Sequence, residues 1–326
     1  MADEEAQLIT RFRTWVVWAI VAGMVLYLGG SIWAGAEAVG GELAGFAWWM
    51  AVPVLGLTLV NYGLRFVKWH ALMRLLDVDI GWREDLRIFV AGLSMVISPA
   101  KAGEVLKPWL VSKRTGVPMA HTLPALVAER LTDGIAVIAL AAVSIGTFAS
   151  DKVAWLLWPA AVVVLGLGVL ASERLSLGIL GLLNRLPGVR RISGKLEAAY
   201  RSMRQCLAPG PFLWLMVLSF VAWGAECVGY QLVFRGLGEA VSLDAATFLY
   251  AFATVAGGAF PGGIGGADAA LAGGATAILH VPESAALCAA LLIRVATLWF
   301  GVLLGAYALL SFEKLLGKGP DRAAEE

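Results

Sequence analysis

The sequence predicts an all-α polytopic membrane protein, with about six full transmembrane helices and two re-entrant broken-helix hairpins arranged as an inverted repeat. Three observations carry that reading. The chain is 60% hydrophobic and 15% charged, with a mean hydropathy of +0.79, far from the balance of soluble domains. Its apolar runs fall into two lengths, one able to cross a bilayer and one too short. Its basic residues cluster on alternate connecting segments.

The apolar runs are 14–34, 46–67, 86–99, 122–146, 153–171, 212–234, 245–260, 269–279 and 285–311. The first follows Arg11 and Arg13 and is long enough to span, which suits an uncleaved anchor better than a cleaved signal. The runs starting at 86, 245 and 269 are short. About 15 residues rise only about 22 Å, against a hydrocarbon core of roughly 30 Å, so they read as re-entrant arms. The residues beside them explain why. Phe260 to Asp268 reads Phe-Pro-Gly-Gly-Ile-Gly-Gly-Ala-Asp, and a proline with four glycines cannot continue a regular helix. In lipid such irregular backbone survives only where protein or a water-filled cavity satisfies its polar groups. Pro99 and Gly103 mark a first break, and Pro261, Gly262, Gly263, Gly265 and Gly266 a second, as hinges.

The chain therefore divides into an N-terminal tail and first helix (1–45), a first half (46–171) with its re-entrant segment at 86–115, and a basic linker (172–211). A second half (212–315) with its re-entrant segment at 245–280 and a charged tail (316–326) follow. With the N-terminus cytoplasmic, segments 1–13, 68–121, 172–211 and 312–326 carry 20 of the 25 lysines and arginines, whereas the outer loops carry Lys152 and Arg235. The positive-inside rule then puts both termini in the cytoplasm. In the linker Val189, Ile192, Leu196, Tyr200, Met203 and Leu207 recur at spacings of three or four among basic residues. That pattern fits an amphipathic helix lying on the cytoplasmic leaflet, and equally a connector that obeys the charge rule. Trp15, Trp48, Trp49, Trp69, Trp155 and Trp158 near the span ends suit interfacial anchors.

The two breaks resemble copies of each other. A shift of 164 residues, without a gap, places Glu104 on Asp268, Val117 on Val281, Pro118 on Pro282, Leu123 on Leu287, Ala125 on Ala289 and Arg130 on Arg294. An acid followed 26 residues later by an arginine, in two regions of opposite assigned topology, is the pattern of an inverted repeat whose discontinuous helices meet at a midplane site.

The ionisable residues at depth are Arg65, Glu129, Arg130, Asp133, Glu226 and Arg294. Charge there is costly, so each must face the bundle and have a partner. Arg130 and Asp133 share a helix face, which allows a purely structural ion network with Glu129. Arg294 has no acid on its own helix nearer than Glu283, so its partner lies across the bundle or on a ligand. Guanidinium groups suit bidentate binding of phosphate. Arg130, Arg294, Arg65, Glu104, Asp268 and Lys101 are therefore candidate headgroup ligands, and Glu129, Asp133 and Glu226 candidate proton carriers. Glu104 and Asp268 equally suit N-terminal caps of the helices that follow the breaks. Cys206, Cys227 and Cys288 lack CxxC spacing, and His70, His121 and His280 fall in expected loops. No metal, disulfide, cofactor or nucleic-acid partner is expected.

Ser98-Pro99-Ala100-Lys101-Ala102-Gly103-Glu104-Val105-Leu106-Lys107, then Glu129-Arg130-Leu131-Thr132-Asp133-Gly134, then Pro261-Gly262-Gly263-Ile264-Gly265 resemble the flippase-like transmembrane region of lysylphosphatidylglycerol synthases and their stand-alone relatives. The resemblance covers roughly residues 10–315. It implies a prokaryotic inner-membrane protein that moves lipids, or lipid-linked groups, between leaflets. Asp268 departs from the glutamate usual in that family. The short tail to Glu326 leaves no room for the soluble aminoacyl-transfer domain, so lysyl transfer is not expected.

The expected function is thus a lipid flippase or scramblase, not an enzyme, for an anionic phospholipid or a polyprenyl-phosphate-linked lipid. Membrane lipids are its partners, and a homo-oligomer is compatible with the sequence. The alternatives are a membrane-embedded lipid-phosphate enzyme, in which Lys101 and Lys107 bind phosphate, and a non-transporting membrane partner protein.

Overall fold

The computed structural model describes residues 29, 36–98, 103–145, 161 and 193–316. The expected spans 14–34 and 153–171 lie outside the described residues, as do Pro99, Lys101, Lys152, Val189, Ile192 and the tail beyond 316. All regular structure among the described residues is helical.

A short helix α1 (Ala36–Gly45) and one 3-10 turn (Trp48–Met50) lead into α2 (Ala51–Leu75). At 1.5 Å per residue α2 is about 37 Å long, enough to cross a bilayer, and it runs eight residues past the apolar run that announced it. Next come α3 (Trp82–Leu93), which ends in a 3-10 turn (Ser94–Ile97), α4 (Leu106–Thr115) and the long α5 (Met119–Ile145). The second part begins with α6 (Ser193–Cys206) and the 28-residue α7 (Pro209–Gly236). α8 (Leu243–Ala256) is started by Ser242, whose hydroxyl accepts from the Ala245 amide. Its 14 residues reach only about 21 Å, short of the roughly 30 Å of a bilayer core. Two 3-10 turns (Gly257–Ala259 and Pro261–Gly263) then lead to α9 (Gly266–Leu279). α10 (Glu283–Arg294), a π-helical turn (Val295–Trp299) and α11 (Phe300–Leu316) form one continuous apolar rod.

α2, α7 and the α10–α11 rod are long and apolar enough to span a membrane. Their outward faces carry Val52, Leu59, Val60, Leu213, Val217, Leu303 and Leu310 exposed, as a lipid solvent requires. α5 is long enough as well, but Glu129, Arg130 and Asp133 interrupt its apolarity. It is sheathed by α6, α7 and α8.

The halves cross over each other. α3 packs on α11 and α8 packs on α5, so each short arm leans on the long helix of the other half. Gly305 makes the first crossing close: a Cβ there would collide with the Ser94 amide and the Val90 carbonyl. The break tips meet, with Ile97 against Gly262. The helix that follows each break ends alike. α4 closes on Gly116 and α9 on His280, both left-handed, at φ 74° and 57°, and 116 and 280 are 164 apart.

Gly263 adopts φ +72°, and a Cβ there would sit 3.1 Å from the Ala267 Cβ and 3.5 Å from an Arg294 guanidinium nitrogen. A β-branched residue strongly resists such a backbone. Gly263→Val is expected to lower the thermal midpoint in detergent, by about 1–3 kcal/mol of strain, whereas valine at exposed Gly258, which has open space around it, leaves it within a degree or two.

Two expectations change here. His70 and His121 sit within α2 and α5 rather than in loops; His70 Nδ1 lies 2.7 Å from Asp85, and His121 bridges Ser202 and the Leu76 carbonyl at 2.9 Å each. The apolar stripe of α6 is used by the protein itself. Met203 and Cys206 are buried in the core with Trp69, Leu72 and Leu126, while Arg201 and Arg204 stay exposed. Gln205 ties the helix to the Leu75 carbonyl at 2.9 Å.

Candidate functional site

The site is built from two charge clusters and a cavity. The first cluster is where α2, α4 and α5 meet. Arg65 and Lys68 are three residues apart on α2 and so share a face, which is turned to α5. Glu129 is the hub and is fully buried. One of its oxygens receives Lys107 at 2.5 Å, and the other receives Arg130 at 2.7 Å and Arg65 at 3.4 Å. Asp133, one turn on, pairs with Lys68 and accepts from Ser219 of α7 at 3.0 Å, with Arg65 and Arg130 each 3.8 Å away. Lys68 also donates to Ser219, Thr132 and the Glu129 carbonyl. Lys107 lies 4.3 Å from the centre of the Trp69 ring, a cation–π contact. Its stem passes through the space left by Gly92, where a Cβ would collide with it.

From the break side Glu104 reaches Arg130, Oε2 to Nε, at 2.9 Å. It does not cap the next helix: the N-cap is Val105, without a side-chain cap bond. The cluster contains four cations, Arg65, Lys68, Lys107 and Arg130, and three carboxylates, Glu104, Glu129 and Asp133. Its formal charge is +1.

The second cluster is the smaller counterpart. Arg294, in the last turn of α10, has its Nε 3.0 Å from Asp268 and donates through Nη2 to the Gly262 carbonyl at 2.5 Å. Asp268 is therefore the partner for Arg294 that the helix itself lacks. It is also the cap: its other oxygen accepts from the Gly265 amide at 2.8 Å, at the positive end of α9. Both anticipated roles coexist in one side chain. In both halves the acid after the break meets, at its Nε, the arginine 26 residues later.

Between the clusters lies a cavity of about 110 Å³. It is lined by Arg65 and Tyr62 of α2, Glu226 and Trp223 of α7, Tyr250 of α8 and Arg294. Gly262 and Gly263 of the second break and Val96, in the turn before the first, also line it. Glu226 is held by the Tyr250 hydroxyl at 2.7 Å. The Trp223 indole nitrogen is buried with no hydrogen-bond partner among the described residues. Tyr62 donates to the Thr297 carbonyl in the π-helical turn just after Arg294, a kind of defect common at functional sites.

The candidate arginines differ in their place relative to the cavity. Arg294 and Arg65 line it, whereas Arg130 is taken up by Glu104 and Glu129 and is absent from its lining. Gly103 sits under Met95 and Ser98, whose hydroxyl accepts the Gly103 amide at 2.7 Å. Gly265 and Gly266 start α9. Lys68, Tyr62, Tyr250 and Trp223 were not anticipated. Only Lys68 left a readable signal, its three-residue spacing from Arg65.

Long apolar helices with lipid-facing surfaces, closed around a buried ionic core, define a multi-pass membrane protein of the all-α class. The chain belongs to the family described as the lysylphosphatidylglycerol synthase TM region, which it matches over residues 16–305. No curated protein matches it.

Proposed function

We propose that the protein is a flippase or scramblase that moves an anionic phospholipid, or a polyprenyl-phosphate-linked lipid, between the leaflets of a prokaryotic inner membrane. One observation carries this reading: a cavity beside the second helix break presents the arginines Arg65 and Arg294 to the same space. A guanidinium pair suits a phosphodiester, while the apolar flanks of α2 and α7 leave the acyl chains in lipid.

In this reading the halves form an inverted repeat. The paired Glu104–Arg130 and Asp268–Arg294 contacts, the matched left-handed helix ends and the reciprocal packing of short arms on long helices support it. Rocking of one half against the other at the Ile97–Gly262 contact would expose the cavity to each leaflet in turn. Both termini are cytoplasmic, as the basic-residue asymmetry suggests. The activity is transport without turnover of the lipid.

The test is purified protein in liposomes carrying fluorescent phosphatidylglycerol, with quenching of the outer leaflet. Bleaching beyond the outer-leaflet half, faster than in protein-free vesicles, is the expected result. Arg65→Gln is expected to slow it about tenfold or more, the loss of one charge-assisted hydrogen bond of about 1.5–3 kcal/mol. Bleaching no faster than in empty vesicles overturns the reading.

A further inference from the structure

Four buried acids belong to the first cluster or line the cavity, and three of them are locked; Glu104 is held by Arg130. Glu129 is held by Lys107, Arg130 and Arg65, and Asp133 by Lys68 with Arg65 and Arg130 close by. Protonating either would strand several cations at depth. Glu226 differs in kind. It is 6% exposed, forms no ion pair among the described residues, and its hydrogen-bond partner is the neutral hydroxyl of Tyr250. It also lines the cavity that Arg65 and Arg294 line.

The charge count adds a constraint. The two clusters and Glu226 together contain five cations, Arg65, Lys68, Lys107, Arg130 and Arg294, and five carboxylates, Glu104, Glu129, Asp133, Glu226 and Asp268. With Glu226 ionised the ensemble is neutral. A phosphodiester bound between Arg65 and Arg294 adds one negative charge in a place where an unbalanced charge is costly, and one proton on Glu226 restores neutrality. The groups that face Glu226 permit this. They are Tyr62 and Arg65 from α2, Asp133 from α5, Tyr250 from α8, Arg294 from α10 and Cys227 beside it on α7. None of the cations is within ion-pairing distance. The Tyr250 hydroxyl can still donate to Glu226 after the other oxygen is protonated, and a cavity of about 110 Å³ with Arg65, Glu226, Tyr250 and Arg294 in its wall has room and polar partners for the water that delivers a proton.

We propose that Glu226 carries one proton with each phosphate headgroup, so that transport is coupled to the proton gradient and the anion and proton travel in the same direction. This rests on the transport reading above. The carboxylate takes a proton from water on the side to which the cavity is open, and returns it to water on the other side when the headgroup leaves. By linkage, headgroup and proton each raise the affinity for the other.

The experiment imposes a pH gradient on proteoliposomes containing fluorescent phosphatidylglycerol, with and without a protonophore. The expected result is net lipid movement away from the acidic side, several-fold over the collapsed gradient. For Glu226→Gln the ratio of the two rates falls to one, whatever exchange rate remains. A second measurement needs no variant. Calorimetry of short-chain phosphatidylglycerol binding to the wild-type protein, in buffers of different ionisation enthalpy, is expected to show about one proton taken up per headgroup bound. Fast exchange in the wild type with no response to the gradient overturns the inference and leaves transport standing. So does a gradient response that survives Glu226→Gln, or binding without proton uptake. Absence of exchange in the wild type overturns transport itself, and the coupling with it.

Discussion

Replacing Glu129 by glutamine is expected to lower the stability of the protein by about 3–5 kcal/mol, the usual consequence of removing one partner from a buried ionic network. The substitution keeps size and shape, so no cavity forms and the loss isolates charge. Glu129 is fully buried and receives Lys107, Arg130 and Arg65. Without its charge, four cations share Glu104 and Asp133, and the cluster moves from +1 to +2. The new amide would also point donors at cations that are themselves donors. A domain is stable by only about 5–15 kcal/mol, so the variant is expected to extract poorly and to melt roughly 10 °C lower in detergent. The mechanism has its own control. Lys107→Gln added to Glu129→Gln returns the cluster to +1, and is expected to recover at least half of the lost midpoint, a coupling that a double-mutant cycle reads directly. A Glu129→Gln protein as stable as the wild type would mean that this network does not hold the core together.

Much of this architecture was legible because lipid imposes strict rules. Run length separated α2, α7 and the α10–α11 rod from the short α8, and proline with glycine located the break beside it. The shift of 164 residues aligns Glu104 with Asp268 and Arg130 with Arg294, costly residues at membrane depth that stand out against apolar runs. What escaped was mostly pairing. A separation of 26 residues implies no contact on one helix, so the Glu104–Arg130 and Asp268–Arg294 pairs emerge only when the chain folds back at the break. Lys68 escaped because a charge ends an apolar run in a hydropathy scan, although α2 continues to Leu75 and buries that lysine against Asp133. Tyr62, Tyr250 and Trp223 read as ordinary core aromatics, since they lie within apolar runs and only the cavity distinguishes them. The stripe of α6 had the periodicity of a lipid-facing helix, and a periodic stripe is silent about whether lipid or protein covers it.

Neutralising Arg294 is expected to separate what the second cluster does for the fold from what it does for a ligand. Arg294→Met removes the charge opposite Asp268 and the donor to the Gly262 carbonyl. Asp268 retains the Gly265 amide and the positive end of α9. The loss of stability is therefore expected to be modest, about 1–2 kcal/mol for hydrogen bonds to a charged group in a partly open setting, since Asp268 is 20% exposed. Transport is expected to fall further, about tenfold to a hundredfold, because a charge-assisted contact to phosphate of about 1.5–3 kcal/mol disappears. The double variant Asp268→Asn with Arg294→Met decides between the roles. It replaces an ion pair by a neutral pair, so the melting midpoint is expected to return close to that of the wild type. If Arg294 only braces the break, lipid movement returns with the midpoint. If Arg294 meets the headgroup, as proposed, the protein regains its stability and translocation in liposomes stays low, because Arg65 is left without the guanidinium opposite it.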